Sequence, residues 1–254
     1  MTYKEKKVDN LNVKIFETRS EMGAVAASEA AEYLRQLGRE KDEINILFAA
    51  APSQDDIYGA LLKEEGIPWE KVNAMQLDDY IGINSDAPQR FANYLKGHIF
   101  NHVQIKNLLL IDCENPNIED ELNKYNEILK KHPADISFIG IGENGHIAFN
   151  DPSVADFEDT ALIKIVDLEE TSRVQQVNDG CFEKVEDVPT KALTVTIPAI
   201  LKAEKVFCVV PCDTKANSVY NTLNMDIDEK YPSTILRKHK DTILYLDKDS
   251  AAKI

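Results

Sequence analysis

The sequence predicts a single α/β domain with an open, doubly wound, mostly parallel sheet and helices on both faces. Three observations point there. Short, nearly unbroken apolar runs recur along the 254 residues, amphipathic stretches of helical period separate them, and no low-complexity linker or repeat of fixed period interrupts the alternation. Strands covered on both faces read as continuous apolar runs, and parallel neighbours require crossovers, which read as helices.

Taken in order, residues 13–16 (VKIF) form the first strand. Ser20 can cap a helix in which Ala24, Ala27, Ala31 and Leu34 recur at helical spacing, with Gly38 as its stop. Residues 44–48 (INILF) have the composition of a buried strand. Ser53 opens the next helix, which Gly66 ends. Residues 72–77, 107–112, 136–141 and 206–210 are further strands, and residues 116–131 and 213–223 are the clearest later helices. In such sheets ligands bind beyond the carboxyl ends of the strands, so the loops at those ends are where function is to be sought.

Composition excludes several classes. Acidic residues number 44 against 29 basic ones, a net charge of −15, which argues against nucleic acid as partner because phosphate backbones demand clustered Lys and Arg. An anionic ligand must then be held by a few local groups against a repulsive overall field. A chain of this length buries roughly 70–75% of its unfolded surface and needs neither disulfide nor metal to hold a core. No run approaches the roughly 20 apolar residues of a membrane span, and the start carries no apolar secretory segment. Cys113, Cys181, Cys208 and Cys212 lack zinc-ribbon spacing; Cys208 sits in an apolar run as a small core residue, and Cys208 and Cys212 without companions make a poor metal site. A reduced, cytoplasmic protein is expected.

Three strand-end loops carry chemistry. The first, Ala49-Ala50-Ala51-Pro52-Ser53-Gln54-Asp55-Asp56, has small residues for close backbone approach and Ser53 at a helix start, where free amides favour an anion. Ser53 with Asp56 also fits an ordinary capping box. The second begins Asp78-Asp79-Tyr80-Ile81-Gly82. A carboxylate beside another acid at a strand end can have its pKa raised and serve as a base, or both acids can be solvated turn formers. The third, residues 140–152 (GIGENGHIAFNDP), packs Gly140, Gly142 and Gly145 into six positions around His146. Glycines so dense imply a sharply turned backbone or a close ligand. No G-x-G-x-x-G stands at a helix start, so it is not a dinucleotide fingerprint. His146 can move protons near neutrality with Asp151 or Glu143 orienting it. His98, His102, His132 and His239 read as surface or helix-end residues.

These segments resemble the glucosamine-6-phosphate deaminase (isomerase) family of the 6-phosphogluconolactonase superfamily. Leu77-Asp78-Asp79-Tyr80-Ile81-Gly82 resembles its D-E-Y-x-G segment, and residues 140–152 resemble its G-x-G-x-D-G-H-I-A-F-N-E-P loop. Lys191-Ala192-Leu193-Thr194-Val195 resembles a K/Y-A-L-T-V strand, and Thr214-Lys215-Ala216 resembles an x-K-A turn on the phosphate side. The likeness runs from about residue 10 to about residue 248. It implies a modified Rossmann-like fold and an aldose–ketose isomerisation coupled to deamination: glucosamine 6-phosphate and water give fructose 6-phosphate and ammonia. It implies no metal and no organic cofactor, a small sugar phosphate as the partner, and a tendency to form homo-oligomers. By position it makes Asp78 the base between C2 and C1, His146 the group that opens the pyranose, and Asp151 its support. Asn144 and Gly145 belong to the same loop, and Ser53, Arg173 and Lys215 would hold the 6-phosphate.

The chain departs from the pattern in three places. Asn144 replaces an Asp of the histidine loop, Asp151 replaces a Glu, and residues 49–54 replace a T-G-G-T-P type of phosphate loop. An Asn-Gly-His loop also occurs in relatives assigned to galactosamine 6-phosphate, so the C4 epimer is an alternative substrate. Arginines that allosteric members carry after the histidine loop are not apparent around Ala161-Leu162. A lactone hydrolase shares the fold and a Gly-His loop, but the run Ile147-Ala148-Phe149-Asn150-Asp151-Pro152 matches the deaminases better. A sugar-phosphate sensor is a third reading, against which stands the retention of both Asp78 and His146.

Overall fold

The computed structural model describes residues 3–254. β1 (Lys4–Val8) and β2 (Leu11–Phe16) form an antiparallel hairpin whose turn residue Asp9 takes a φ of 52°. No apolar pattern announces β1. Its exposed run KEKKV suits a sheet edge that must not recruit another strand.

α1 (Arg19–Glu40) is capped by Thr18, whose hydroxyl accepts from the Glu21 amide at 3.2 Å; Ser20, the expected cap, lies inside the first turn. Gly38 does not stop this helix either. A Cβ there would fall 2.6 Å from Pro68 Cγ, so the glycine serves a close approach, and the helix runs on to Glu40. β3 (Ile44–Phe48) leads into a 3₁₀ turn, Pro52–Gln54, and then α2 (Asp55–Leu61). Ser53 lies within the 3₁₀ turn and caps nothing. The expected capping box is absent because Asp56 is drawn to Arg19 at 2.5 Å. α2 ends short of Gly66, whose φ of 71° belongs to the following turn.

β4 (Val72–Gln76), β5 (Asp78–Tyr80), α3 (Phe91–His98), β6 (Asn107–Leu109), α4 (Ile118–Lys131) and β7 (Ile136–Ile139) follow. The remainder is β8 (Ile163–Asp167), α5 (Glu170–Asn178), β9 (Lys191–Val195), α6 (Ile197–Ile200), β10 (Lys205–Val210), α7 (Ala216–Asn224) and β11 (Thr242–Asp247). Strands 72–77, 107–112 and 136–141 of the sequence reading stop earlier than expected, where their chain peels off into the loops described below.

Eight strands form one sheet in the order β1-β2-β11-β10-β7-β3-β4-β6, parallel except for β1. From β3 the chain adds β4 and β6 on one side, then returns to lay β7 on the other side of β3 and proceeds outward through β10 and β11. The order therefore reverses between β3 and β7, and a crevice opens there beyond the strand ends. A second, antiparallel sheet, β5-β9-β8, stands beside it. Its first strand follows β4 after the single residue Leu77 and carries Asp78.

An aromatic ladder fixes the central register. Phe48 on β3, Phe138 on β7 and Phe207 on β10 are cross-strand neighbours with ring centroids 5.4 Å apart at each step, and Tyr245 on β11 continues the row at 6.3 Å. All four are fully buried, and Ala26, Ala27, Ala30 and Ala31 give α1 the flat face that packs on this side of the sheet. Burying each ring is worth about 1.5–3 kcal/mol. Cys208 faces the opposite core as expected, fully buried. His239 is not a surface residue: it is buried, with its ring nitrogens on Thr242 Oγ1 (2.8 Å) and the Ala203 carbonyl (3.0 Å).

Candidate active site

The loops after β3, β4, β7 and β10 line one cleft above the crevice. Among its walls are Arg19, Ser53, Asp78, Gly142, His146, Gln175, Gln176, Asp179, Cys212 and Lys215.

The Asp78–Asp79 pair divides into two roles. Asp79 is fully buried and accepts from Gln76 Nε2 (2.9 Å) and from the amides of Tyr80 (3.0 Å), Phe91 (3.1 Å) and Ala92 (3.2 Å). It thereby satisfies the free N-terminal amides of α3 and pairs with Arg90 at 3.5 Å. Burial holds its carboxyl above the ordinary range even though these donors pull the other way. Asp79→Ala should destabilise the fold by about 2–4 kcal/mol, because it orphans several buried donors at once; the midpoint of urea unfolding reads this.

Asp78, by contrast, is 6% exposed and faces the cleft with no donor on its carboxylate among the described residues. Burial, with the charge of Asp79 added, pushes its pKa well above the usual carboxylate value. Neither acid is a solvated turn former.

The glycine loop after β7 is built around His146. The Gly142 amide donates to the His146 carbonyl (2.9 Å) and the Gly145 amide to the Gly142 carbonyl (3.0 Å), closing a tight turn in which Gly145 takes a φ of 90°. Gly145 is thus a turn residue, with its carbonyl accepting from the Ser233 amide, and does not line the cleft. Gly142 lies against the imidazole: a Cβ there would come within 2.1 Å of Cε1.

Three oxygens surround His146 Nδ1: Asn144 Oδ1 at 2.8 Å, Ser172 Oγ at 3.0 Å and Asp151 Oδ1 at 3.1 Å. Ser172 donates its own proton to Asp151, and Asn144 Nδ2 donates to Asp151 (2.9 Å) and, at 3.4 Å, to Glu169. This acceptor set puts the imidazole proton on Nδ1 and leaves Nε2, which has no partner among the described residues, as the free nitrogen. Burial alone would raise the Asp151 carboxyl, but His146, Asn144 and Ser172 together hold it below the ordinary value. Of the two acids offered by the sequence to orient the histidine, the structure uses Asp151.

On the opposite wall Lys215 ends a 3₁₀ turn (Asp213–Lys215) ahead of α7. It is 5% exposed and its Nζ has no hydrogen-bond partner among the described residues. Burial lowers its pKa, with Asp179 and Glu143 opposing. Ser53 Oγ lies across from Gly140, 3.3 Å from where a Cβ would be. Among the described residues no group of three His, Cys, Asp or Glu side chains is placed to hold a metal ion.

Of the residues singled out from sequence, Ser53, Asp78, His146 and Lys215 meet in the cleft, and Asn144 and Asp151 stand behind the histidine. Arg173 does not join them. Its guanidinium turns to the carbonyls of Val185 (2.6 Å) and Val188 (3.0 Å), where it ties α5 to the following loop. Sequence reasoning missed Ser172, for which no pattern exists, and Arg19, for which one does: α1 starts at the carboxyl end of β2, on the side of the sheet where ligands bind.

A reversed crevice with an unpartnered carboxylate, an oriented histidine and a buried cation defines an acid–base enzyme acting on a small anionic molecule. The chain belongs to the glucosamine-6-phosphate isomerase/6-phosphogluconolactonase family, whose profile matches residues 17–245. It is 30% identical to the glucosamine-6-phosphate deaminase of Streptococcus sanguinis over 234 residues, 92% of this chain and 95% of that one. It is 31% identical to that of Listeria monocytogenes over 229 residues, 90% and 95% of the two chains. Its backbone matches a monomeric glucosamine-6-phosphate deaminase with a TM-score of 0.85 at 27% identity, covering 95% of this chain and 99% of the other. A 6-phosphogluconolactonase from Thermotoga maritima shares the fold, with a TM-score of 0.76 at 18% identity over 96% of this chain and all of that one. No helix among the described residues is long and apolar enough to cross a membrane.

Proposed function

We propose that this protein converts an amino-sugar 6-phosphate and water to the ketose 6-phosphate and ammonia, with glucosamine 6-phosphate as substrate. The observation that carries the reading is the arrangement of the cleft: a carboxylate without a donor, a histidine with its Nε2 free and a lysine without a hydrogen-bond partner, each among the described residues, share one cavity. An aldose needs a group that moves the ring-oxygen proton, a base for the weakly acidic C2–H, and a cation for its phosphate.

In this reading His146 Nε2 relays the proton between the anomeric hydroxyl and the ring oxygen as the pyranose opens. Asp78 takes the C2 proton and returns it at C1 while a proton passes from the nitrogen to the C1 oxygen, so that the aldehyde becomes a C1 alcohol and the C2 amine an imine. Water adds to that carbon and the C–N bond breaks, releasing ammonia. Lys215 and Ser53 hold the 6-phosphate, and the steps are proton transfers, the addition of water and the elimination of ammonia, written without a metal or organic cofactor.

The family match over residues 17–245 supports treating residues 1–254 as one catalytic domain. Free thiols at Cys113, Cys181, Cys208 and Cys212 support a reducing, cytoplasmic setting.

Ammonia release from glucosamine 6-phosphate and galactosamine 6-phosphate, measured side by side with Asp78→Asn as control, tests the assignment. Turnover that the control loses supports it and identifies the epimer. Hydrolysis of 6-phosphogluconolactone without ammonia from either sugar overturns it in favour of the lactonase reading.

Asn144 is read as a working part of this site. Its amide donates to Asp151 while its oxygen accepts from His146, which an aspartate cannot do. Asn144→Asp would face Asp151 and Glu169 with a third carboxylate and should lower kcat about tenfold. Steady-state ammonia release checks this, and unchanged or faster turnover would contradict it.

A further inference from the structure

We propose that Arg19 is the guanidinium that binds the substrate's phosphate, in the place that resemblance gave to Arg173. The inference rests on the amino-sugar 6-phosphate reading for the identity of the ligand, and on geometry for the residue. Arg19 lines the cleft with Ser53 and Lys215. Its fork is already fixed on two sides: Nε pairs with Asp56 Oδ2 at 2.5 Å, and Nη2 donates to the Pro52 carbonyl at 2.9 Å.

The third nitrogen, Nη1, has only the Cys212 sulfur, at 3.6 Å, among the described residues. A thiol is a weak acceptor, and a phosphate oxygen would displace it readily. Arg19 is therefore oriented before the ligand arrives, with its Nη1 free of any strong acceptor. Cys212 is held where it is by a φ of 79° and by its amide, which donates to both oxygens of Asp247 at 3.2 Å.

Local charge makes the same demand. Lys215 is nine-tenths buried with no hydrogen-bond partner among the described residues, but Asp179 in the cleft lining and Glu143 act on it with two negative charges, and Asp56 stands against Arg19. Lysine alone would leave this end of the cleft net negative, inside a protein of charge −15. Arg19 adds a second cation against these carboxylates, so an entering phosphate meets a less negative field than lysine alone would give. Arg173, spent on backbone carbonyls, adds nothing there.

Inorganic phosphate is the probe, with its affinity measured by calorimetry and its inhibition constant measured against turnover. Arg19→Gln should weaken both at least tenfold and raise KM for the amino-sugar phosphate by a similar factor, with kcat changed less than threefold. Arg19→Lys should recover part of the loss, and Arg173→Gln should leave both phosphate constants unchanged. Retention of phosphate affinity within twofold in Arg19→Gln overturns the proposal, as does a loss that appears in Arg173→Gln instead. A collapse of kcat with phosphate affinity intact also overturns it, by revealing a structural role. If the wild-type protein releases no ammonia, the functional reading falls, and the calorimetric comparison still decides whether Arg19 binds phosphate.

Discussion

Asp78→Asn should reduce ammonia release about 10³- to 10⁴-fold and at the same time make the protein harder to unfold. The first effect follows from chemistry: an amide of the same shape can sit at C2 but cannot take its proton. The second follows from burial. Asp78 lies 6% exposed with no donor on its carboxylate among the described residues, and its pKa is pushed well above the usual range by burial and by Asp79. Between the ordinary carboxylate value of about 4 and that raised native value, the folded protein binds more protons than the unfolded chain, so stability falls as pH rises through this window. Above the native value the full penalty of a buried charge is present. Asn carries no charge, so the variant should gain about 1 kcal/mol or more at neutral pH and none near pH 3. Thermal unfolding of both proteins at the two pH values reads this directly. In kcat/KM, the wild-type rate should fall as pH drops through the raised Asp78 value, where the base becomes protonated. A variant that is inactive but also less stable would mean that Asp78 holds the fold and does not work as a strained base.

The two aspartates illustrate what the sequence could and could not disclose. Alternating apolar runs and helical periods announce the main sheet, and the glycine density around His146 announces the loop, because both are local properties of the chain. Asp78 and Asp79 are chemically identical neighbours. What separates them is the start of α3, twelve residues on, which brings the Phe91 and Ala92 amides to one and nothing to the other. The second sheet stays hidden for a related reason: β5 has three residues, and its partner β9 is more than a hundred positions away. Arg173 and Arg19 differ only in where tertiary packing points them. The resemblance supplied Arg173 by position, and position does not fix the direction of a long side chain. Gly38 and Ser20 erred more simply, since helix signals within two residues of each other compete and packing against Pro68 or a cap at Thr18 decides.

Gly142→Ala should cost about 10²-fold in kcat/KM although it removes no chemical group from the cleft. The added Cβ would stand 2.1 Å from His146 Cε1 and 2.3 Å from both Nδ1 and Nε2, inside the space of the ring. Glycine is required there by contact and not by backbone angle, unlike Gly145 with its φ of 90°. The ring has to move, and its Nδ1 is held by Asn144, Ser172 and Asp151 within 2.8–3.1 Å, so it cannot move without breaking those bonds. Nε2 then leaves the position from which, in the proposed reaction, it serves the ring oxygen, and misplacement by about an ångström suffices for a loss of this size. His146→Gln should lose a similar factor by removing the proton carrier outright. Because both substitutions would act on one group, the double variant should be no slower than the slower single variant by more than about threefold. Additive losses would show that Gly142 acts on something other than the imidazole. Near-normal activity in Gly142→Ala would show that His146 is not held where the reaction needs it.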